Sequence, residues 1–164
     1  MYIFKKVVVK VIAIFVTSLL ACAAMAQDQN QVCMVNNKDV DPVHTKYWQF
    51  ALQNSDHAAM QQVAGTWYIE NVSQELGAVQ RMQQTYDANG LFSYQDETCV
   101  NGSCSQNQGH GMWVAKTETD GSIYVMINVS DLNRTNECTG FAATIQGNQM
   151  FAPGSNVVTA TRVQ

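Results

Sequence analysis

Basic residues are few in this chain of 164 residues, which has 9 lysines and arginines against 13 aspartates and glutamates. Three of the nine, Lys5, Lys6 and Lys10, lie within the first ten residues, so the part after residue 26 carries a net charge of 6 − 13 = −7. Proteins neutralise a row of phosphates with clustered cationic side chains. The scarcity of such side chains therefore argues against nucleic acid and anionic membranes as partners.

Apolar runs long enough to cross a membrane are also absent from the sequence. The run at residues 11–21 follows the three lysines and is shorter than the roughly 20 residues that a membrane-spanning helix needs. Because Ala24-Met25-Ala26 comes next, the pattern is typical of a signal peptide, residues 1–26, that is cleaved after Ala26. The segment Leu19-Leu20-Ala21-Cys22 partly resembles the acylation site of bacterial lipoproteins, so an anchor through Cys22 is the alternative. We expect an exported protein, periplasmic or secreted, without a transmembrane span.

Patterns that would identify an enzyme or a metal site are missing as well. His44, His57 and His110 are scattered and have no ligating partner at i+4. Asp96 and Glu97 are adjacent, and adjacent side chains of a strand point to opposite faces, which excludes a carboxylate pair acting on one substrate. The sequence has neither a Gly-x-Ser-x-Gly turn nor the second pair of close cysteines that a zinc site needs. We therefore expect a protein that is not an enzyme and that holds no metal and no cofactor.

Cysteine is present in an even number once the signal peptide is removed. Four cysteines in an exported chain predict two disulfides. Asn101-Gly102 between Cys99 and Cys104 indicates a two-residue type I′ hairpin, which sets these two cysteines opposite each other with Cα atoms about 4.5 Å apart. Cys33 is left to pair with Cys138.

From residue 66 onward the sequence alternates between apolar and polar residues and has short turn signals between the alternating segments. Strands are predicted at residues 66–72, 78–86, 91–99, 103–106, 111–118, 122–129, 139–146 and 157–163. Parallel strands need long, usually helical, crossovers, and no long helical pattern separates these segments. We expect an all-β domain, an antiparallel up-and-down meander of about eight short strands that closes into a small barrel. Gln108-Gly109-His110-Gly111 is interpreted as a flexible approach to a strand, and the segment Ile123–Val129 as a strand with one face buried and the other wet.

Residues 27–62 precede this domain and have a different pattern. Residues 27–38 are rich in amides and predict an extended arm that is held by Cys33. Thr45 is the expected N-cap of a short helix, and Ser55 that of a second one. We expect the two helices to close one end of the barrel, and a lid over a cavity mouth is the rival interpretation. The apolar face of the first helix is predicted to hold Tyr47, Trp48, Ala51 and Leu52.

Gly65-Thr66-Trp67 opens the first predicted strand, and Arg162 lies in the last one. This arrangement resembles the lipocalin-type, or calycin, barrel, in which a Gly-x-Trp motif begins the first strand. The resemblance covers residues 63–164 and implies that Arg162 packs across Trp67 and closes the base of the barrel. A guanidinium on an indole face contributes about 0.5–2 kcal/mol whatever the family. Gly65, Trp67 and Arg162 are thus expected to have a structural role.

Two functions are expected, the first from the resemblance together with export and the second from the disulfide hairpin. The first is an exported, non-enzymatic, lipocalin-like binding protein that holds a small, mostly apolar molecule at the open barrel end. The alternative is a protein-interaction or inhibitor module with a packed barrel, which presents the Cys99–Cys104 hairpin and adjacent loops to an envelope or extracellular protein. An empty cavity would favour the first function, and a solid interior with an exposed aromatic patch the second. The candidate pocket residues are Tyr68, Tyr86, Phe92, Tyr94, Trp113, Tyr124 and Phe141.

Overall fold

A computed structural model describes residues 32–163 of the chain. The predicted signal peptide and the alternative anchor at Cys22 lie outside the described residues. So does the beginning of the predicted arm, up to residue 31.

Within residues 32–163, eight antiparallel strands close into a barrel, which confirms the all-β, up-and-down prediction. Sequential strands are neighbours around the barrel, and β10 pairs with β3 to complete the ring. A small hairpin, β1 and β2, and two helices, α1 and α2, precede the barrel. The elements are β1 (Met34–Val35), β2 (Asp39–Val40), α1 (Pro42–Asn54), α2 (His57–Val63), β3 (Gly65–Ser73), β4 (Ala78–Tyr86), β5 (Leu91–Val100), β6 (Ser103–Thr117), β7 (Ile123–Asp131), β8 (Glu137–Gln146), β9 (Gln149–Phe151) and β10 (Val158–Val163).

The predicted number of barrel strands, eight, is correct because two errors in the predicted boundaries cancel. The segments predicted at 103–106 and 111–118 are one continuous strand, β6, and the short strand β9 was not predicted. Gly109 and Gly111 do not interrupt β6, because they sit where another backbone comes close. A Cβ on Gly111 would lie 1.9 Å from the main-chain oxygen of Asn128 on β7. Glycine in this strand therefore marks a close approach and not a flexible loop.

Both helix starts differ from the predicted ones. Asp41, and not Thr45, caps α1, and its Oδ1 accepts hydrogen bonds from the backbone N–H groups of Val43 (3.0 Å) and His44 (2.9 Å). Pro42 at the first helical position explains the earlier start, since proline is favoured where a backbone N–H would lack a partner. The hydroxyl of Thr45 instead accepts a hydrogen bond from the backbone N–H of Cys33 at 2.8 Å.

Asp56, and not Ser55, caps α2. One of its carboxylate oxygens accepts from the N–H of Ala59 at 2.6 Å, and the other accepts from the N–H of Thr117 at 2.7 Å. The same side chain therefore starts the helix and fastens it to the end of β6. The sequence pattern gave no sign of this second, long-range bond.

The N-terminal arm is folded back and not simply extended. Residues 34–40 form the β1–β2 hairpin, and Asn36 and Asn37 adopt positive φ values of 51° and 60° in its turn. Cys33 is bonded to Cys138 on β8 with a Cα–Cα distance of 5.4 Å. The arm is therefore attached to the barrel wall by this disulfide.

Strand β7 is buried on both faces, which corrects the prediction of one wet face. Ile123, Val125, Ile127 and Val129 point into the barrel. On the other face Met126 packs with Trp48 and Ala51 of α1 in a second apolar cluster. The helix covers what would otherwise be the solvent face of the sheet, a contact between distant parts of the chain that alternation alone does not reveal.

Candidate binding surfaces

The barrel interior is filled by aromatic side chains. Tyr86 lies 5.0 Å from Phe92 and 5.2 Å from Trp113 between ring centroids, the latter pair being edge to face. These three residues and Trp67 are all buried. Edge-to-face rings at such distances are well packed. None of these four side chains lines either of the two surface grooves described below.

The base of the barrel is closed by the residues that carry the lipocalin resemblance. The guanidinium of Arg162 lies 4.5 Å from the ring centroid of Trp67, its direct partner across β10 and β3. The indole N–H of Trp67 donates to the carbonyl of Val63 at 2.7 Å, and Arg162 donates to the carbonyl of Gln62. Gly65 has a φ of 131° and would place a Cβ 3.4 Å from the Arg162 side chain. The pair therefore ties α2 to the first and last strands.

The opposite end of the barrel is closed by a polar cluster that the sequence analysis missed. Tyr94 donates to Oδ2 of Asp131 at 2.5 Å, and the same oxygen accepts from Nε of Arg134 at 2.7 Å. Asn107 donates to both the tyrosine oxygen (3.0 Å) and the carboxylate (3.2 Å). Arg134 comes from the loop between β7 and β8, so its side chain connects this loop to β5 and to the end of β7.

The carboxylate of Asp131 and the guanidinium of Arg134 stabilise each other's charged form. Burial works against the ionised form of Asp131, but hydrogen bonds from Tyr94, Arg134 and backbone N–H groups outweigh it and keep its pKa far below the usual range. Burial and the bond to Asp131 raise the pKa of Tyr94. At neutral pH the cluster is therefore an ion pair bridged by a neutral phenol. The only sign of it in the sequence is an aspartate and an arginine three positions apart, a spacing that is common in loops.

The seven candidate pocket residues do not surround one cavity. Tyr94 packs beside Phe92, 6.2 Å between ring centroids, and joins the filled core already described. Phe141 is half-buried against the same core. Tyr68 is exposed on the outer face of β3, and Tyr124 contacts the cluster beneath α1 on the outer face of β7.

An exposed apolar stripe runs along α1. Val43, Tyr47 and Phe50 occupy positions i, i+4 and i+7 and are 58%, 59% and 52% exposed, respectively. Such spacing places side chains on one face of a helix. Tyr47 was predicted to share the buried face with Trp48, but it lies on this outer stripe instead. The helix is therefore apolar on two sides, and only one of them is covered in the described residues.

The stripe forms one wall of a groove of about 670 Å³. Ala51 and Tyr124 contribute to its floor, and the stems of Lys46 and Lys116 border it. The ammonium of Lys116 lies 5.2 Å from the ring centroid of Phe50 and 3.0 Å from Oε1 of Glu118. The groove is therefore apolar inside and carries two cationic side chains at its edge.

The disulfide hairpin has the predicted pairing and turn, and its Cα–Cα distance is shorter than the predicted value of about 4.5 Å. Cys99 and Cys104 are direct cross-strand partners with Cα atoms 4.0 Å apart, and Asn101 and Gly102 have φ values of 50° and 83°. The backbone N–H of Asn101 donates to the carbonyl of Gly77 in the β3–β4 turn at 3.2 Å. The tip is thus held by the disulfide and by a neighbouring turn.

The described residues contain neither a metal-binding cluster nor a membrane-spanning helix. Between residues 32 and 163, no three histidine, cysteine, aspartate or glutamate side chains are arranged to hold a metal ion. No helix in the same range is both long and apolar enough to span a membrane. The two disulfides are compatible with export.

Comparisons with known proteins add no family to this description. The chain matches no family model, and it has no significant similarity to a curated protein or to a solved structure. The closed antiparallel barrel of eight strands is consistent with a lipocalin-like fold.

Proposed function

We propose that this protein is an exported, non-enzymatic interaction module of lipocalin-like type that binds an apolar segment of an envelope or extracellular protein. The binding site is the groove beside α1. The observation that carries the proposal is the combination of a filled aromatic core with an exposed apolar stripe, Val43, Tyr47 and Phe50.

The filled interior weighs against a ligand held at an open barrel end. Eight strands enclose just enough space for side chains or for one small ligand, and here large aromatic rings occupy it. Arg162 lies over Trp67 at one end of the barrel, and Arg134 donates to Tyr94 and Asp131 at the other. These contacts fix side chains at both ends and weigh further against a ligand there.

The groove beside α1 has the composition of a recognition surface. Aromatic residues are enriched where proteins bind one another, because they bury much area with few rotatable bonds. Covering a side chain such as Phe50 contributes about 1.5–3 kcal/mol. A helix or extended segment with spaced apolar residues fits such a groove.

Charge at the edge of the groove defines the partner further. Lys46 and Lys116 are two of only six basic residues after residue 26, in a part of the chain with a net charge of −7. Their position favours a segment with acidic residues next to its apolar ones. Lys116 already pairs with Glu118, so Lys46 offers the freer charge.

The test uses the purified mature protein as bait for an envelope extract, with two matched variants. Tyr47→Ser with Phe50→Ser removes the stripe, whereas Leu91→Ser changes a leucine that is equally exposed, at 55%, on β5. We expect a partner that the wild type and Leu91→Ser retain and the double variant does not. The purified partner should bind the wild type and Leu91→Ser more tightly than it binds the double variant. The proposal would be contradicted if the double variant retained the same proteins, or if none of the three baits retained any protein.

A small apolar molecule is the second candidate for the same groove, because about 670 Å³ lies within the range of small-ligand sites. Native mass spectrometry of protein purified from its own source distinguishes the two. A bound species of constant mass that is absent from the Phe50→Ser variant would support the small molecule over a protein segment.

A further inference from the structure

A second groove, separate from α1, crosses the outer face of β3–β6. It has a volume of about 570 Å³. Strand β6 pairs with β7 only from Gly109 onward, and β3 pairs with β10 only at residues 66–68. The four strands therefore extend past their neighbours as an open sheet, and the groove runs over the start of this extension.

One wall of the groove is a row of side-chain amides in register. Tyr68 pairs with Gln83, Gln83 with Gln95, and Gln95 with Gln108, so the four residues stand side by side on consecutive strands. Strands are spaced about 4.8 Å apart, which sets the glutamines at that repeat over about 10 Å. Within residues 32–163 none of these three amides has a side-chain hydrogen-bond partner, so their donors and acceptors face the groove or solvent.

On the other wall, the charged side chains and one amide already form ion pairs and hydrogen bonds with one another. Arg81 contacts Glu70 at 2.9 Å and Glu97 at 3.6 Å, and the amide of Gln106 donates to Glu97 at 3.2 Å. The cation and the two carboxylates are therefore occupied. One lining carboxylate oxygen, Oδ1 of Asp96, has no hydrogen-bond partner within residues 32–163, but it is buried out of contact with solvent. A strongly charged ligand would have to break this chain of contacts.

We propose that this groove binds a neutral, polyhydroxylated chain, that is, an uncharged oligosaccharide. A carboxamide presents a donor and an acceptor together and can bond two neighbouring hydroxyl groups at once. Three such groups at a regular spacing match a ligand that repeats its hydroxyls along its length. Tyr68 is 38% exposed at one end of the row and offers a ring on which the apolar face of a sugar can lie.

The groove lies on the outer face of strands that the proposed protein-binding stripe does not include. The two sites are therefore tested independently. Loss of the stripe through Tyr47→Ser with Phe50→Ser leaves the amide row intact.

The experiment titrates ¹⁵N-labelled mature protein with maltohexaose, cellohexaose and N-acetylchitohexaose, and follows the side-chain amide signals by NMR. The triple variant Gln83→Ala, Gln95→Ala, Gln108→Ala removes the free amides. Gln146→Ala is the matched control, an exposed glutamine on β8 that does not line the groove.

We expect at least one probe to shift the signals of the three glutamines at millimolar concentration, with little change when salt is raised, because no ion pair forms. The triple variant should lose affinity by at least about tenfold, since each lost hydrogen bond weakens binding several-fold. Gln146→Ala should change affinity by less than about twofold, because it removes no amide from the groove. Absence of shifts with all three probes at about 10 mM, where even a millimolar ligand would be seen, would overturn the proposal. So would unchanged affinity in the triple variant.

Discussion

The two disulfides should differ sharply in how much they stabilise the fold. The Cys33–Cys138 bond spans 105 residues of sequence, and the Cys99–Cys104 bond spans 5. Treating a disulfide as a restriction on the unfolded chain gives about 4.8 kcal/mol for the long loop and about 2.1 kcal/mol for the short one. The structure adds to the difference, because Cys33 is fully buried in the cluster beneath α1, whereas Cys104 is exposed.

The assay compares two double variants by reversible thermal unfolding, followed by circular dichroism. Cys33→Ala with Cys138→Ala should lower Tm by roughly 15–20 °C, and Cys99→Ala with Cys104→Ala by roughly 6–8 °C, for a domain of this size. The first pair should also open residues 34–40 to protease at temperatures where the second pair stays resistant. If the hairpin pair lowers Tm as much as the long-range pair, the loop-length reasoning is wrong.

Three further changes test the two barrel ends and the central strand. Asp131→Asn should cost about 1–3 kcal/mol at neutral pH. Because the pKa of Asp131 is lowered in the folded state, its contribution to the free energy of unfolding is present above the unfolded pKa near 3.9 and is lost as pH falls below about 4. If Tm falls as steeply below about pH 4 in the variant as in the wild type, this reasoning is wrong. Gly111→Ala should cost at least about 3 kcal/mol, because the added methyl group meets a backbone oxygen, whereas Gly102→Ala, with open space but a positive φ, should cost about 1–2 kcal/mol in urea unfolding. Arg162→Met should cost about 1–2 kcal/mol by losing the contact to Trp67, and an unchanged urea midpoint would show that the guanidinium does not stabilise the barrel base.

Turn chemistry and alternation sufficed to predict the barrel and the disulfide hairpin. Asn101-Gly102 selects a two-residue turn, and that turn sets the register of Cys99 and Cys104 with no help from the rest of the chain. The even number of cysteines outside the predicted signal peptide then left one pairing for Cys33. These features are local or a matter of counting, so the sequence alone contains them.

Contacts between distant segments decided everything that concerns the candidate sites. The two apolar sides of α1 could be told apart only once β7 covered Trp48 and left Tyr47 and Phe50 outside. Whether the aromatic residues line a cavity or pack into a core depended on the space inside the closed barrel. That space is set by the number and tilt of the strands and not by any one segment. Gly111 could not be interpreted from the sequence for the same reason. Glycine is needed there because the backbone of Asn128 on β7 comes close, and the sequence does not state which backbone lies opposite.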